Sequence, residues 1–116
     1  AFGTVQHMLS DGIDFDAIFA GDDDAAIGAI RALKNGGRLV PNDVAVVGFD
    51  DVPFARYISP PLTTVCAPIE EVGREAVRQL KSLMDGQQAD GLVLMRTELV
   101  IRESCGCPPE STTINS

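Results

Sequence analysis

The feature that most constrains this chain is a pair of short apolar runs, each ending directly in acid. Phe15-Asp16-Ala17-Ile18-Phe19-Ala20 leads through Gly21 into Asp22-Asp23-Asp24, and Val44-Ala45-Val46-Val47-Gly48-Phe49 leads into Asp50-Asp51. The second run is rich in β-branched residues and reads as an interior strand, and the first reads as a shorter buried strand at 15–20. Between them Ala26, Ile27, Ile30 and Leu33 recur at helical spacing, with acids at the positive amino end and Gly36-Gly37 as a stop. Strand, helix and strand in so short a span form a βαβ unit, so strands 15–20 and 44–49 are expected to be parallel neighbours spanned by helix 22–35.

The flanking segments fit around that unit. Phe2, Val5, Met8 and Leu9 fall at helical spacing before Asp11-Gly12, so the chain reads as opening on the last turns of a helix. Residues 50–61 hold three prolines and read as a loop with one helical turn around Phe54-Ala55-Arg56-Tyr57. Phe54 and Tyr57 either stack on a ligand or pack the loop back on the core. Leu62–Cys66 is extended in character, with Cys66 a small buried side chain. Ile69, Val72, Ala76, Leu80 and Leu83 line one face of a helix over 69–84, begun by Pro68 and ended before Gly86, and that stripe reads as core. Two further strands are expected at Leu92–Met95 and Glu98–Arg102, and residues 105–116 read as a tail or linker.

Charge excludes one broad class of partner for this segment. Nine Lys and Arg against seventeen Asp and Glu leave a formal net charge of −8, so the cationic surface that attracts nucleic acid phosphates is missing. No apolar run approaches the roughly 20 residues that span a bilayer. The three cysteines are an odd number, Cys105 and Cys107 stand too close for an unstrained bridge, and free thiols fit a reducing, cytoplasmic setting. A structural zinc would need about four ligands, and beyond those thiols the chain has only His7.

In a parallel α/β sheet the functional crevice lies at the carboxyl ends of the strands. Both acid clusters fall there. Carboxylates accept hydrogen bonds from adjacent hydroxyls, so a rim bearing Asp22, Asp23 and Asp50 suits a polyol, a sugar or a cation and repels anions. Each acid also has a structural alternative: Asp22 or Asp23 as a helix cap, Asp50 as an acceptor for turn amides, Asp24 and Asp51 as solvated charges. A magnesium-dependent phosphoacceptor site of the receiver type would use such acids with Thr63-Thr64, but the lysine it needs is not placed after any strand. With no histidine base and no phosphate loop, no enzymatic activity, cofactor or metal is expected.

The same segments resemble a known family. Phe15–Asp23 with Ala26–Ala29 is similar to the "DAIFAANDxxAxGA" segment of the LacI/GalR transcriptional regulators, and Val40–Asp51 is similar to their "VPxDVxVVGFDD". Pro60–Val65 matches "PPLTTV", and Glu98–Ser104 matches "ELVxRES". The resemblance implies the α/β, type I periplasmic-binding-protein-like effector domain, with residues 1–104 as its C-terminal portion: a C-terminal lobe fragment built on a parallel sheet. Helix 69–84 would then belong to the opposite lobe, past a hinge near Thr63–Pro68. The partners implied are a small effector, often a sugar or nucleoside-like molecule, DNA only through an N-terminal headpiece, no membrane, and a second copy in a homodimer. Carried over by position, Asp22 stands where the family usually has Asn, Asp23 and Asp50 where it has Asp, and Ile69 where an apolar side chain can face the cleft. The ending Ser104-Cys105-Gly106-Cys107 leaves open a second parent, a LacI-like sensor fused to a signalling output such as a diguanylate cyclase or histidine kinase.

Overall fold

The computed structural model describes residues 1–108. In chain order the elements are helix α1 (Phe2–Ser10), strand β1 (Ala17–Phe19), helix α2 (Asp23–Asn35), strand β2 (Ala45–Phe49), a 3₁₀ turn (Pro53–Arg56), strand β3 (Thr63–Cys66), helix α3 (Ile69–Met84) and strand β4 (Glu98–Val100). The strands form one sheet in the order β1-β2-β3-β4. β1 and β2 are parallel, with Ala17, Ile18 and Phe19 opposite Ala45, Val46 and Val47, and β2 and β3 are parallel, with Val47, Gly48 and Phe49 opposite Thr63, Thr64 and Val65. The expected βαβ unit is therefore present, with α2 as the crossover.

The described chain divides into two compact units, residues 1–66 with 99–108, and Ala67–Glu98. The first holds the core: Ala26, Ala29, Ile30 and Leu33 on α2, Val44 and Val46 around β2, Val5 on α1, and Leu62 and Ala55 from the loop before β3. Along β2 burial alternates, with Val46 and Gly48 fully enclosed and Ala45, Val47 and Phe49 half-buried. Gly48 is required where α2 meets the sheet. A Cβ there would crowd Leu62 at 3.0 Å and Ala26 at 3.3 Å, and would run into the Asp23 carboxylate.

Several expectations need correction. The first strand covers only Ala17–Phe19, and Phe19 is exposed rather than buried, because β1 is the edge of the sheet among the described residues. Ile27 is half-buried and packs beside the core rather than within it. Phe54 and Tyr57 do not pin the loop to the core: they are 61% and 76% exposed. The 3₁₀ turn repeats every three residues, so Val52, Ala55 and Ile58 face inward together while Phe54 and Tyr57 share the outer side. Cys66 is half-buried.

The second unit departs further. α3 spans the expected residues, but none of its side chains is buried, and Ile69, Leu80 and Leu83 are each more than half exposed. An apolar stripe needs an opposing surface, and within Ala67–Glu98 the helix is followed only by the irregular 85–97 segment. Leu92–Met95 forms no strand, since no neighbouring strand takes up its backbone groups. Of the expected tail, residues 105–108 are described and contribute a turn, and the remainder lies outside the described residues.

Candidate functional site

The parallel register brings the acid clusters to one rim. Asp22 and Asp50 each lie three residues beyond the paired Phe19 and Val47, at the carboxyl ends of adjacent strands. Asp22 is exposed and caps α2: its Oδ1 accepts the Ala25 amide at 2.6 Å, the bond expected of an N-cap carboxylate. Among the described residues nothing hydrogen-bonds its second oxygen.

Asp23 is fully buried. Its Oδ1 accepts the Thr64 hydroxyl at 2.5 Å and its Oδ2 accepts the Val52 amide at 2.8 Å. A buried carboxylate without a cation is tolerable only when its lone pairs are engaged, and the amino end of α2 adds a favourable dipole. The Thr64 oxygen in turn accepts the Asp51 amide at 3.4 Å. Asp23 thus grips the chain on the far side of Asp50, through Val52 directly and through Asp51 by way of Thr64. It is a positioning residue for that turn, and its oxygens are already occupied.

Asp50 has the unusual backbone. Its φ is 112° and that of Asp51 is 52°, left-handed values that a residue with a Cβ seldom adopts and that cost on the order of 1–3 kcal/mol. The Asp50 amide donates to the Val65 carbonyl at 2.8 Å, while among the described residues nothing hydrogen-bonds its half-buried carboxylate. Two consecutive strained residues, fixed by Asp23 and Thr64, turn one free acid onto the rim.

Asp51 is not a solvated charge. Its Oδ1 pairs with Arg102 Nη2 at 2.6 Å, with both side chains only 14% exposed. Arg102 also donates from Nη1 to the Leu62 carbonyl and from its amide to Thr63 Oγ1, each at 2.8 Å. Neighbouring Ser104 is fully buried: its hydroxyl donates to the Val46 carbonyl at 2.6 Å and accepts the Thr63 amide at 2.8 Å. The sequence raised Thr64 only beside the acids of a phosphoacceptor site and Arg102 and Ser104 only within the matched Glu98–Ser104 segment; their roles as partners of Asp23, Asp51 and β2 come from the fold.

The rim therefore sorts its acids. Asp23 is internal, Asp51 is neutralised by Arg102, and Asp22 and Asp50 keep acceptor capacity with no cationic partner among the described residues. Ile69 opens α3 in the second unit and is 62% exposed. Among the described residues no group of three or more His, Cys, Asp or Glu side chains is arranged to hold a metal ion.

Residues 4–105 match the profile of the periplasmic binding protein-like domain. The chain belongs to that family. Its similar relatives are LacI-type regulators. It is 40% identical over 98 residues to the HTH-type transcriptional repressor MelR of Bacillus subtilis, covering 84% of this chain and 28% of MelR. It is 40% identical over 101 residues to the HTH-type transcriptional regulator CelR of Thermobifida fusca, covering 86% of this chain and 30% of CelR. Among solved structures, the lac repressor dimer bound to operator and the anti-inducer ONPF aligns with a TM-score of 0.83 at 35% identity, over 90% of this chain and 32% of the repressor chain. A CelR–cellobiose complex aligns with a TM-score of 0.80 at 36% identity, over 89% of this chain and 32% of CelR. The chain thus spans under a third of the length of these relatives. No helix among the described residues is long and apolar enough to cross a membrane.

Proposed function

We propose that this chain is part of the effector-sensing domain of a LacI-type transcriptional regulator, and that Asp50 and Asp22 accept hydrogen bonds from the hydroxyls of a small neutral or cationic, sugar-like effector. The observation that carries the reading is Asp50: a carboxylate with no hydrogen-bond partner among the described residues, held on strained backbone at the carboxyl end of a central parallel strand. The repressor relatives support the regulator reading, and the cellobiose complex of CelR supports the sugar class. Asp23 acts in this reading by holding the Asp50 turn. DNA is contacted by a headpiece elsewhere in the regulator, which works in the cytoplasm as a homodimer and catalyses no reaction.

Effector contacts made better in one conformation than in another would bias the regulator between states, with a coupling of about 1–3 kcal/mol typical of such systems. The test is a calorimetric screen of sugars, polyols and nucleosides on the full-length protein, repeated on Asp50→Ala. Loss of a charged acceptor from a buried hydroxyl costs about 1.5–3 kcal/mol, so affinity should fall roughly 10- to 150-fold with the fold intact. Binding that is unchanged in Asp50→Ala, or restricted to anionic ligands, would overturn the assignment.

A further inference from the structure

The segment that follows Arg102 carries chemistry that effector binding does not use. Glu103 and Gly106 close a turn through the Gly106 amide and the Glu103 carbonyl at 3.1 Å, and Gly106 takes a φ of 70° against Pro41. That turn brings Cys107 back onto Cys105. The Cys107 amide donates to Cys105 Sγ at 3.2 Å, while the Cys105 thiol donates to the Arg102 carbonyl at 3.8 Å and the Cys107 thiol to the Cys105 carbonyl at 4.0 Å. Buried Ser104 anchors the turn to β2 and β3, so the pair sits on a fixed base rather than on a loose end. Cys105 is half-buried and Cys107 is exposed.

The two sulfurs are not equivalent. Partial burial alone would push the Cys105 thiol up, but hydrogen bonds from the Thr63 hydroxyl, the Cys107 thiol and the Cys107 amide outweigh it and hold that thiol below its ordinary value. Cys107 is pushed up, first by its hydrogen bond to Cys105 and then by the Cys105 charge. A stabilised thiolate beside a protonated, accessible thiol has the form of an attacking and a resolving sulfur.

We propose that Cys105 and Cys107 are a thiol-modification site, oxidised by hydroperoxides to an intramolecular disulfide. The Cys105 thiolate sulfur attacks a peroxide oxygen, the O–O bond breaks, and after protonation one water leaves with Cys105 as its sulfenic acid. The Cys107 sulfur then attacks the Cys105 sulfur, the S–O bond breaks, and the departing hydroxide takes the Cys107 proton as a second water. Both sulfurs are oxidised and hydrogen peroxide is reduced to two waters. The ring spans a single intervening residue, and such strained, exposed bridges are reversible rather than structural. The reduced pair touches Thr63, whose hydroxyl also accepts the Arg102 amide, which places the site beside the ion pair of the acid rim.

The test treats the full chain with hydrogen peroxide and maps thiols by differential alkylation and mass spectrometry. Expected is a Cys105–Cys107 disulfide, reversed by dithiothreitol and unaffected by Cys66→Ser. Cys107→Ser, at an exposed position, should stop at a Cys105 sulfenic acid trapped by dimedone. Cys105→Ser should give no intramolecular ring, leaving Cys107 as the one thiol of the turn open to oxidation. First oxidation at Cys66, cross-linking of chains ahead of ring closure, or over-oxidation of Cys105 with no ring in the unmutated chain would overturn the proposal. So would the absence of a trapped sulfenic acid in folded Cys107→Ser.

Discussion

Arg102 Nη2 lies 2.6 Å from Asp51 Oδ1, and the same guanidinium holds the Leu62 carbonyl at 2.8 Å through Nη1. The pair ties β4's exit to the turn after β2 across 51 residues of sequence. It also removes one of two adjacent rim acids from the electrostatic account, leaving Asp50 as the acid that is free to act.

Breaking that pair from one side should be costly. Arg102→Met leaves Asp51 partly buried without its cation, and such orphaned charges typically cost about 3–5 kcal/mol. Asp51→Asn should cost less, because an amide oxygen can still accept from the guanidinium. Urea unfolding of the two single variants and the double variant measures the coupling, and simple additivity would show that the contact contributes nothing.

The Asp23 cluster predicts a second pattern. Thr64→Val keeps the shape but strips one partner from a fully buried carboxylate, and leaving such a group unsatisfied costs about 1–3 kcal/mol. Gly48→Ala should destabilise by a similar about 1–3 kcal/mol, because its methyl displaces the same carboxylate. Combining the two should cost less than the sum, as both act on Asp23. Denaturant midpoints and the amide shift of Val52 would report this.

Asp22 separates capping from ligand binding. Asp22→Ala removes the acceptor for Ala25 and should cost about 1 kcal/mol of stability, whereas Asp22→Asn retains a capping oxygen and should cost little. Thermal melts check that difference. Effector affinity in the full-length protein should respond to both, since each removes the charge.

On α3, hydrogen bonds from Arg78, then from Gln79, lower the Glu75 carboxyl from 4.5 to about 2. A carboxyl lowered by folding contributes its stabilisation above the unfolded value of about 4.3 and loses it as pH falls through the folded one. The Glu75–Arg78 contribution to α3 should therefore be complete near neutrality and fade between pH ~4.3 and ~2. A carbon-detected NMR titration of the Glu75 side chain checks the midpoint. Because the Arg78 partner is exposed, added salt should weaken the effect.

The sequence by itself determined the elements whose causes are local. The β-branched run at Val44–Phe49, the capped periodicity from Asp22 to Gly36 and the Pro68-to-Gly86 helix each encode their form within a few residues, and each is observed close to its expected bounds. Placement of Asp22 and Asp50 on one rim also followed from sequence, because parallel strands must share their carboxyl ends. What only the tertiary structure decided was which acids stay free. Asp23 became internal through Thr64 and Asp51 became paired through Arg102, partners 41 and 51 residues distant that no local pattern announces. Exposure of the α3 stripe was likewise a tertiary outcome: periodicity marks which face is apolar, but burial depends on whether another surface lies against it.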